Sequence, residues 1–214
     1  MSLEIEYGPM FAGKSTALIS KLTRYADVGL KCVYVNHSKD IRLTESSDQV
    51  VSTHNSTFQK LSHKIQGVKV SYIWDVNVEG KDVIGIDEGQ FFYDKEQIYL
   101  DAKGDVMDRK YIYDETIETI RRWVLVFNLK VIIASLDSDY KLRPFGCIHQ
   151  LIGLCGKSGI TKHVAICVKC DPMDRADAPY TMKIAGEDSI IDPGGADKYV
   201  PVCPKCYKKY NKYW

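Results

Sequence analysis

Long apolar runs are absent from this chain. None approaches the roughly 18–20 residues that a membrane-crossing helix needs, so no membrane partner is expected. An excess of one charge sign is missing too, with 29 Lys+Arg against 28 Asp+Glu. That balance gives no electrostatic case for nucleic acid or an anionic membrane surface as a partner. There is no internal repeat and no low-complexity segment, which excludes a repeat architecture. No basic-then-apolar leader opens the chain, because Ser2–Tyr7 already reads as a strand. The expected location is cytoplasmic.

What is present is enough for a packed fold. The 214 residues suit one domain, or one domain with a small appendage, and 45% hydrophobic residues can bury a sizeable core. Seven cysteines are an odd number. Four fall into two pairs, Cys167-Val168-Lys169-Cys170 and Cys203-Pro204-Lys205-Cys206, while Cys32, Cys147 and Cys155 stand alone in apolar stretches. Without a secretory signal, paired C-x-x-C units favour metal over disulfides and imply a reducing compartment.

The first part of the chain alternates strand and helix. Strands are expected at Leu3–Tyr7, Cys32–Val35, Val68–Trp74, Val83–Ile86 and Lys130–Ala134, whereas Gly153–Cys155 is too short to assign. Ser15–Val28 carries Leu18, Leu22, Tyr25 and Ala26 at helical spacing, and Gly29 would stop that helix. Strands so spaced between helical segments favour a parallel sheet covered on both faces. From Ala165 onward the composition shifts to Cys, Pro, Gly and Asp, which marks a separate small module dependent on metal.

Gly8, Pro9, Met10, Phe11, Ala12, Gly13, Lys14 and Ser15 fit G-x-x-x-x-G-K-[ST] in the required setting of strand, loop and helix. Glycines let backbone N–H groups curl around phosphate oxygens, and the helix N-terminus adds partial positive charge. Lys14 would reach the β- and γ-phosphates, and the Ser15 hydroxyl would ligate Mg²⁺. A chance glycine turn is the bland alternative. Val83-Ile84-Gly85-Ile86 then leads into Asp87 and Glu88, an apolar strand ending in two acids. In P-loop proteins such an acid holds magnesium, a role that suits Asp87. On an extended backbone Glu88 would point to the other side and could face a substrate hydroxyl. Alternatively Glu88 activates water, as in an ATPase motor, or is merely a solvated strand-end acid.

Cys167, Cys170, Cys203 and Cys206 have the spacing of a structural zinc site, in which four thiolates close a tetrahedron and leave no open position. The ion would pin both ends of Asp171–Val202. A redox dithiol pair is the alternative. The C-terminal Lys205, Lys208, Lys209 and Lys212, interleaved with Tyr207, Tyr210, Tyr213 and Trp214, would suit a zinc-ribbon nucleic-acid module. A solvated amphipathic tail explains them more simply.

Together these features resemble the cytosolic (type II) thymidine kinase family. The similar segments are 8–16 (through Thr16), 87–92, Leu136-Asp137, Pro144-Phe145-Gly146, 194–199 and the two cysteine pairs, in the family's order from about Glu4 to Cys206. The resemblance implies an α/β fold of the P-loop, RecA-like kind: a parallel sheet flanked by helices, with a small C-terminal zinc-binding lasso module. The corresponding units would be 1–164, binding ATP, and 165–214, carrying zinc. It implies a kinase that transfers the γ-phosphate of ATP to the 5′-hydroxyl of thymidine, with Glu88 as catalytic base. It places Gly8–Thr16, Asp40, Arg42, Asp87 and Gln90 at the ATP site. Met10, Phe91, Leu136 and Tyr140 would line the thymine pocket. Tyr180, Thr181, Ile190, Ile191, Asp192, Pro193, Gly194 and Tyr199 would close over the nucleoside. Members are commonly homotetramers inhibited by the triphosphate end product, dTTP.

There are departures from the family pattern. The stretch between Phe92 and Leu136 is longer than usual, with the extra length near Tyr93–Trp123. It is read as lengthened helices, a disordered loop or an interface element, in that order. Tyr140 stands where many members have phenylalanine. Thr53-His54-Asn55 matches a Thr-His-Asp segment only in part. Asp192-Pro193 stands where apolar residues are more usual. The rival function is a RecA-like ATPase acting on nucleic acid, which would need no aromatic nucleoside pocket.

Overall fold

The computed structural model describes residues 2–38, 40, 62–93, 115–186, 189, 192 and 194–211. Six strands form one all-parallel sheet: β1 (Ser2–Gly8), β2 (Cys32–His37), β3 (Ile65–Val70), β4 (Val83–Ile86), β5 (Lys130–Leu136) and β6 (Cys155–Lys162). Their order is β3-β2-β4-β5-β1-β6, so β5 lies between the strand that enters the glycine-rich loop and the strand that ends in the two acids.

Both faces of the sheet are covered, as expected for parallel strands. Helix α1 (Lys14–Asp27) lays Leu18, Ile19, Leu22 and Ala26 on one face, against Tyr34, Val83, Ile132 and Ala134. Helix α2 (Glu115–Leu125) brings Ile117, Ile120, Trp123 and Val124 to the other face, over Leu3, Ile5, Val33, Ile84 and Ile133. The period of 3.6 in the helices and of 2 in β1 sorts these residues to opposite sides. Burying one such aliphatic side chain contributes about 1.5–3 kcal/mol.

Four of the five expected strands form at or near their expected places, and the parallel sheet is as anticipated. Two differences have physical causes. β3 starts and ends earlier than Val68–Trp74, and Ile73–Asp75 turns away as a 3₁₀ segment in which Tyr72 stacks on Trp74 at 4.7 Å. β6 was not recognisable from its sequence. It is an edge strand, mostly exposed, with Gly156, Lys157, Ser158 and Gly159 in succession, and its pairing with β1 shifts register between Leu3 and Ile5. Such a strand needs no apolar alternation.

The alternate residues of β1, Glu4 and Glu6, face α1 and carry charge into that layer. Lys21 pairs with Glu4 at 2.6 Å and with Glu6 at 2.5 Å. Lys130 also pairs with Glu4, and His163 Nε2 meets Glu6 Oε2 at 2.5 Å. Burial pushes the Glu6 carboxyl up, but hydrogen bonds from His163 and Lys21 outweigh it and leave the group below its ordinary 4.5. A carboxylate lowered on folding stabilises fully above its unfolded value and loses that contribution as pH falls through the folded one. Stability is therefore expected to drop below about pH 4.5. Urea midpoints measured across that range should fall less steeply in Glu6→Gln than in the parent.

The C-terminal part has its own small core. It contains β7 (Ala165–Ile166), β8 (Asp177–Ala178), β9 (Tyr180–Lys183), β10 (Tyr199–Val202) and α3 (Pro204–Tyr210). β7 pairs with β8 and β9 with β10, both antiparallel. Ala165, Cys167, Ala178, Met182, Val202, Cys203, Cys206 and Tyr207 pack together, and Ala12 and Leu142 from the larger part pack against them. The amphipathic tail is thus only half solvated. α3 buries Tyr207, whose hydroxyl donates to Tyr140 O at 2.7 Å, and exposes Lys208 and Lys209. Residues 212–214 lie outside the described part. Among the described residues no helix is long and apolar enough to cross a membrane.

Candidate active site and metal centre

The loop between β1 and α1 turns at Gly13, the N-cap of α1, with φ 80°. A side chain rarely adopts that conformation, so glycine is required there if the helix N–H groups are to face the loop. Lys14 Nζ donates to Pro9 O at 2.7 Å. Met10 N donates to Thr181 Oγ1 at 2.9 Å, which ties this loop to β9 across 171 positions of sequence.

The acids at the end of β4 meet the loop. Ser15 Oγ donates to Asp87 Oδ1 at 3.0 Å, and Tyr34 donates to Asp87 Oδ2 at 2.7 Å. Asp87 is buried, and these bonds stand in for water around its carboxylate. The Tyr34 phenol is held well above its usual range, first by burial and then by the Asp87 charge, so it stays a donor. Neighbouring ligands of an octahedral Mg²⁺ at about 2.1 Å lie about 3 Å apart. Ser15 Oγ and Asp87 Oδ1 have that spacing and the hard oxygen chemistry the ion selects.

Glu88 differs from the expectation. Its backbone is not extended but left-handed, with φ 52° and ψ 43°. The separation of the two acids therefore comes from this turn rather than from strand alternation. Gln90 orients Glu88. Leu136 N donates to Gln90 Oε1 at 2.9 Å, which leaves Gln90 Nε2 to donate to Glu88 Oε2 at 2.5 Å. Ser135 Oγ donates to the same Gln90 oxygen at 3.3 Å. Glu88 is only half-buried, and the bond from Gln90 fixes the direction of its carboxylate.

The expected aromatic residues fall into two groups, one around Phe91 and one around Tyr140. Phe91 lies edge-on to Phe145 at 6.0 Å and tilted to His37 at 6.0 Å. Tyr140 is buried, and Lys183 Nζ lies 5.1 Å from its ring centre and 5.6 Å from that of Tyr199. Tyr180 meets Tyr207 edge-on at 5.4 Å. Asp40 follows β2 and is held by its neighbours. It is buried at the end of β2, its carboxylate accepts from Asn36 Nδ2 at 3.0 Å, and Lys69 Nζ donates to its carbonyl at 2.7 Å. Arg42, Ile190, Ile191 and Pro193 lie outside the described residues, as do Thr53-His54-Asn55 and 94–114 of the longer stretch. Sequence reasoning did not single out Tyr34, Ser135 or Lys183, because each sits inside a strand with no motif around it.

The four paired cysteines converge. Their sulfur atoms all lie within 4.8 Å of one another, with Cys170 Sγ 3.7 Å from Cys203 Sγ and 3.8 Å from Cys206 Sγ. A Zn–S₄ tetrahedron with bonds of about 2.3 Å puts its sulfurs about 3.8 Å apart. The soft donor set and the spacing both fit zinc. Burial pushes the Cys167 thiol up, but N–H groups of Cys203 and Lys169 outweigh it and bring the thiol down to about 6, so a thiolate forms there readily.

A family model described as "Thymidine kinase" matches residues 1–112 and 106–207. The chain belongs to the thymidine kinase family. It is 36% identical to the thymidine kinase of Choristoneura biennis entomopoxvirus over 213 residues, covering 99% of this chain and 98% of that protein. It is 30% identical to the fowlpox virus thymidine kinase over 206 residues, 96% of each chain. With the human cytosolic thymidine kinase it shares 31% identity over 209 residues, 97% of this chain and 73% of the human one. For a thymidine kinase family member, a phosphate loop beside an acid-ended strand is the expected core. In this one, the polar chain from Leu136 N through Gln90 ends at Glu88, the neighbour in sequence of Asp87, which bonds Ser15.

Proposed function

We propose that this chain phosphorylates thymidine, transferring the γ-phosphate of ATP to the 5′-hydroxyl to give dTMP. The observation that carries the reading is the Leu136–Gln90–Glu88 relay beside the Ser15–Asp87 pair, in a chain of this family. Glu88 takes the proton from the 5′-hydroxyl as its oxygen bonds to the γ-phosphorus. The bond from that phosphorus to the β,γ-bridging oxygen breaks, and ADP leaves with the electron pair. Gly8–Thr16 cradle the phosphates, and Lys14 supplies positive charge where charge develops. Ser15 and Asp87 would hold Mg²⁺, which when bound neutralises phosphate charge. Met10, Phe91, Leu136 and Tyr140 form the thymine side, and Thr181, Gly194, Tyr199 and the backbone, not the side chain, of Asp192 form the closing side. The same reading extends to a division of labour between 1–164 and 165–214, to a cytosolic homotetramer and to inhibition by dTTP.

One assay tests it: ATP consumption measured with thymidine, with single-stranded DNA and with neither. Stimulation by thymidine alone is expected. Stimulation by DNA would instead favour the RecA-like ATPase.

Cys167, Cys170, Cys203 and Cys206 are proposed to bind one Zn²⁺ that holds both ends of Asp171–Val202. Cys203→Ala is expected to lose the metal and raise the thymidine requirement about tenfold, since a loosened segment must be ordered again at each binding event. ATP affinity should change little, because the loop rests on the six-stranded sheet. Elemental analysis and separate titrations of the two ligands check this. Equal loss of both would show that the metal supports the whole fold.

A further inference from the structure

Lys183 ends β9 with a side chain wholly removed from solvent. An ammonium in that position is tolerated only with a counter-charge and hydrogen-bond acceptors. Asp192 Oδ2 lies 2.8 Å away, and Ser189 O accepts from the ammonium at 3.1 Å. The rings of Tyr140 and Tyr199 complete the surroundings through cation–π contacts. The other carboxylate oxygen of Asp192 pairs with Lys198, and its backbone carbonyl accepts from the Tyr199 hydroxyl at 2.8 Å. Gly186, with φ 91°, brings its backbone so close to this carboxylate that a Cβ there would collide with it.

One aspartate thus joins the end of β9 to the turn Gly195–Lys198 and the start of β10 that follows it. The Lys183 ammonium first, and the Lys198 ammonium with it, hold the Asp192 carboxyl below its ordinary value. Tyr140 is fixed from the other side by Tyr207, which donates to its carbonyl.

We propose that Lys183 and Asp192 are a positioning pair that holds the segment joining β9 to β10 against Tyr140 and so sets the affinity for the nucleoside. Neither residue touches the reacting atoms. The link to affinity rests on the proposed function, in which Tyr140 lines the nucleoside side, whereas the holding role does not.

The test uses the zinc-loaded full chain. Asp192→Asn leaves the lysine buried without its counter-charge. Lys183→Met with Asp192→Leu replaces both charges by apolar groups, an exchange that is often neutral for a buried pair. In Asp192→Asn without nucleoside, amide exchange at Ser189 and Gly194–Tyr199 is expected to quicken about tenfold or more, with β1 and β5 unchanged. The thymidine KM should rise about tenfold while kcat stays within about threefold. The double variant should return both readouts to within about threefold of the parent. Unchanged exchange in Asp192→Asn would overturn the holding role. A double variant as impaired as the single one would show that the charges act on the nucleoside directly. If the parent shows no thymidine-dependent turnover, the proposed function fails, and the exchange measurement still decides the pair.

Discussion

Glu88→Gln is expected to lower kcat by about 10²–10⁴, the usual worth of a positioned general base. The amide keeps the shape of the carboxylate and can still accept from Gln90 Nε2, which now donates to Glu88 Oε2 at 2.5 Å. What it loses is the capacity to take a proton from the 5′-hydroxyl. Because ground-state contacts survive, KM for ATP and thymidine should stay within about threefold. The left-handed backbone of Glu88 is set by its neighbours, chiefly Gly89 and the Gln90 bonds to Leu136 and Ser135, so the substitution should not disturb the turn. Steady-state rates for both substrates and a melting curve check the prediction. A fall in kcat of less than about threefold would remove Glu88 from the role of base.

Lys14→Ala is expected to cost about 10²–10³ in kcat, comparable with losing one fixed donor aimed at developing charge. The ammonium is held within the loop by Pro9 O at 2.7 Å. Removing it leaves Gly13 and the α1 N-terminus in place, and the backbone part of the cradle persists. The loss should therefore appear in the rate more than in nucleoside affinity. Calorimetric binding of thymidine without ATP is the decisive control, and it should be unchanged. A variant that binds no thymidine would point to damaged folding rather than lost catalysis.

These expectations differ in how far the sequence alone could carry them. The phosphate loop was legible because its chemistry is local: a glycine that permits φ 80°, followed at once by Lys14, Ser15 and an amphipathic helix. The four cysteines were legible because C-x-x-C pairs carry their own geometry, and they do converge. The placement of Glu88 was misread, because strand alternation was extended two residues past the last strand residue, Ile86. β6 escaped because an edge strand that pairs on one side and is mostly exposed needs neither apolar alternation nor β-branched residues.

By itself the sequence determined the parallel α/β sheet, the loop that meets phosphate, the acids beside it, the cysteine set and the family. Each of these is written in contiguous residues, whose period or spacing already expresses the physical constraint. Only the tertiary structure decided which distant groups complete the site: Tyr34 on Asp87, Gln90 between Leu136 and Glu88, Thr181 on Met10, and Asp192 between two lysines. Met10–Thr181, Tyr34–Asp87 and Gln90–Leu136 span 171, 53 and 46 positions, and their partners are set by strand order and by which buried polar group each must satisfy. No local pattern records that, because a buried donor is satisfied by whatever acceptor the fold brings within 3 Å or so.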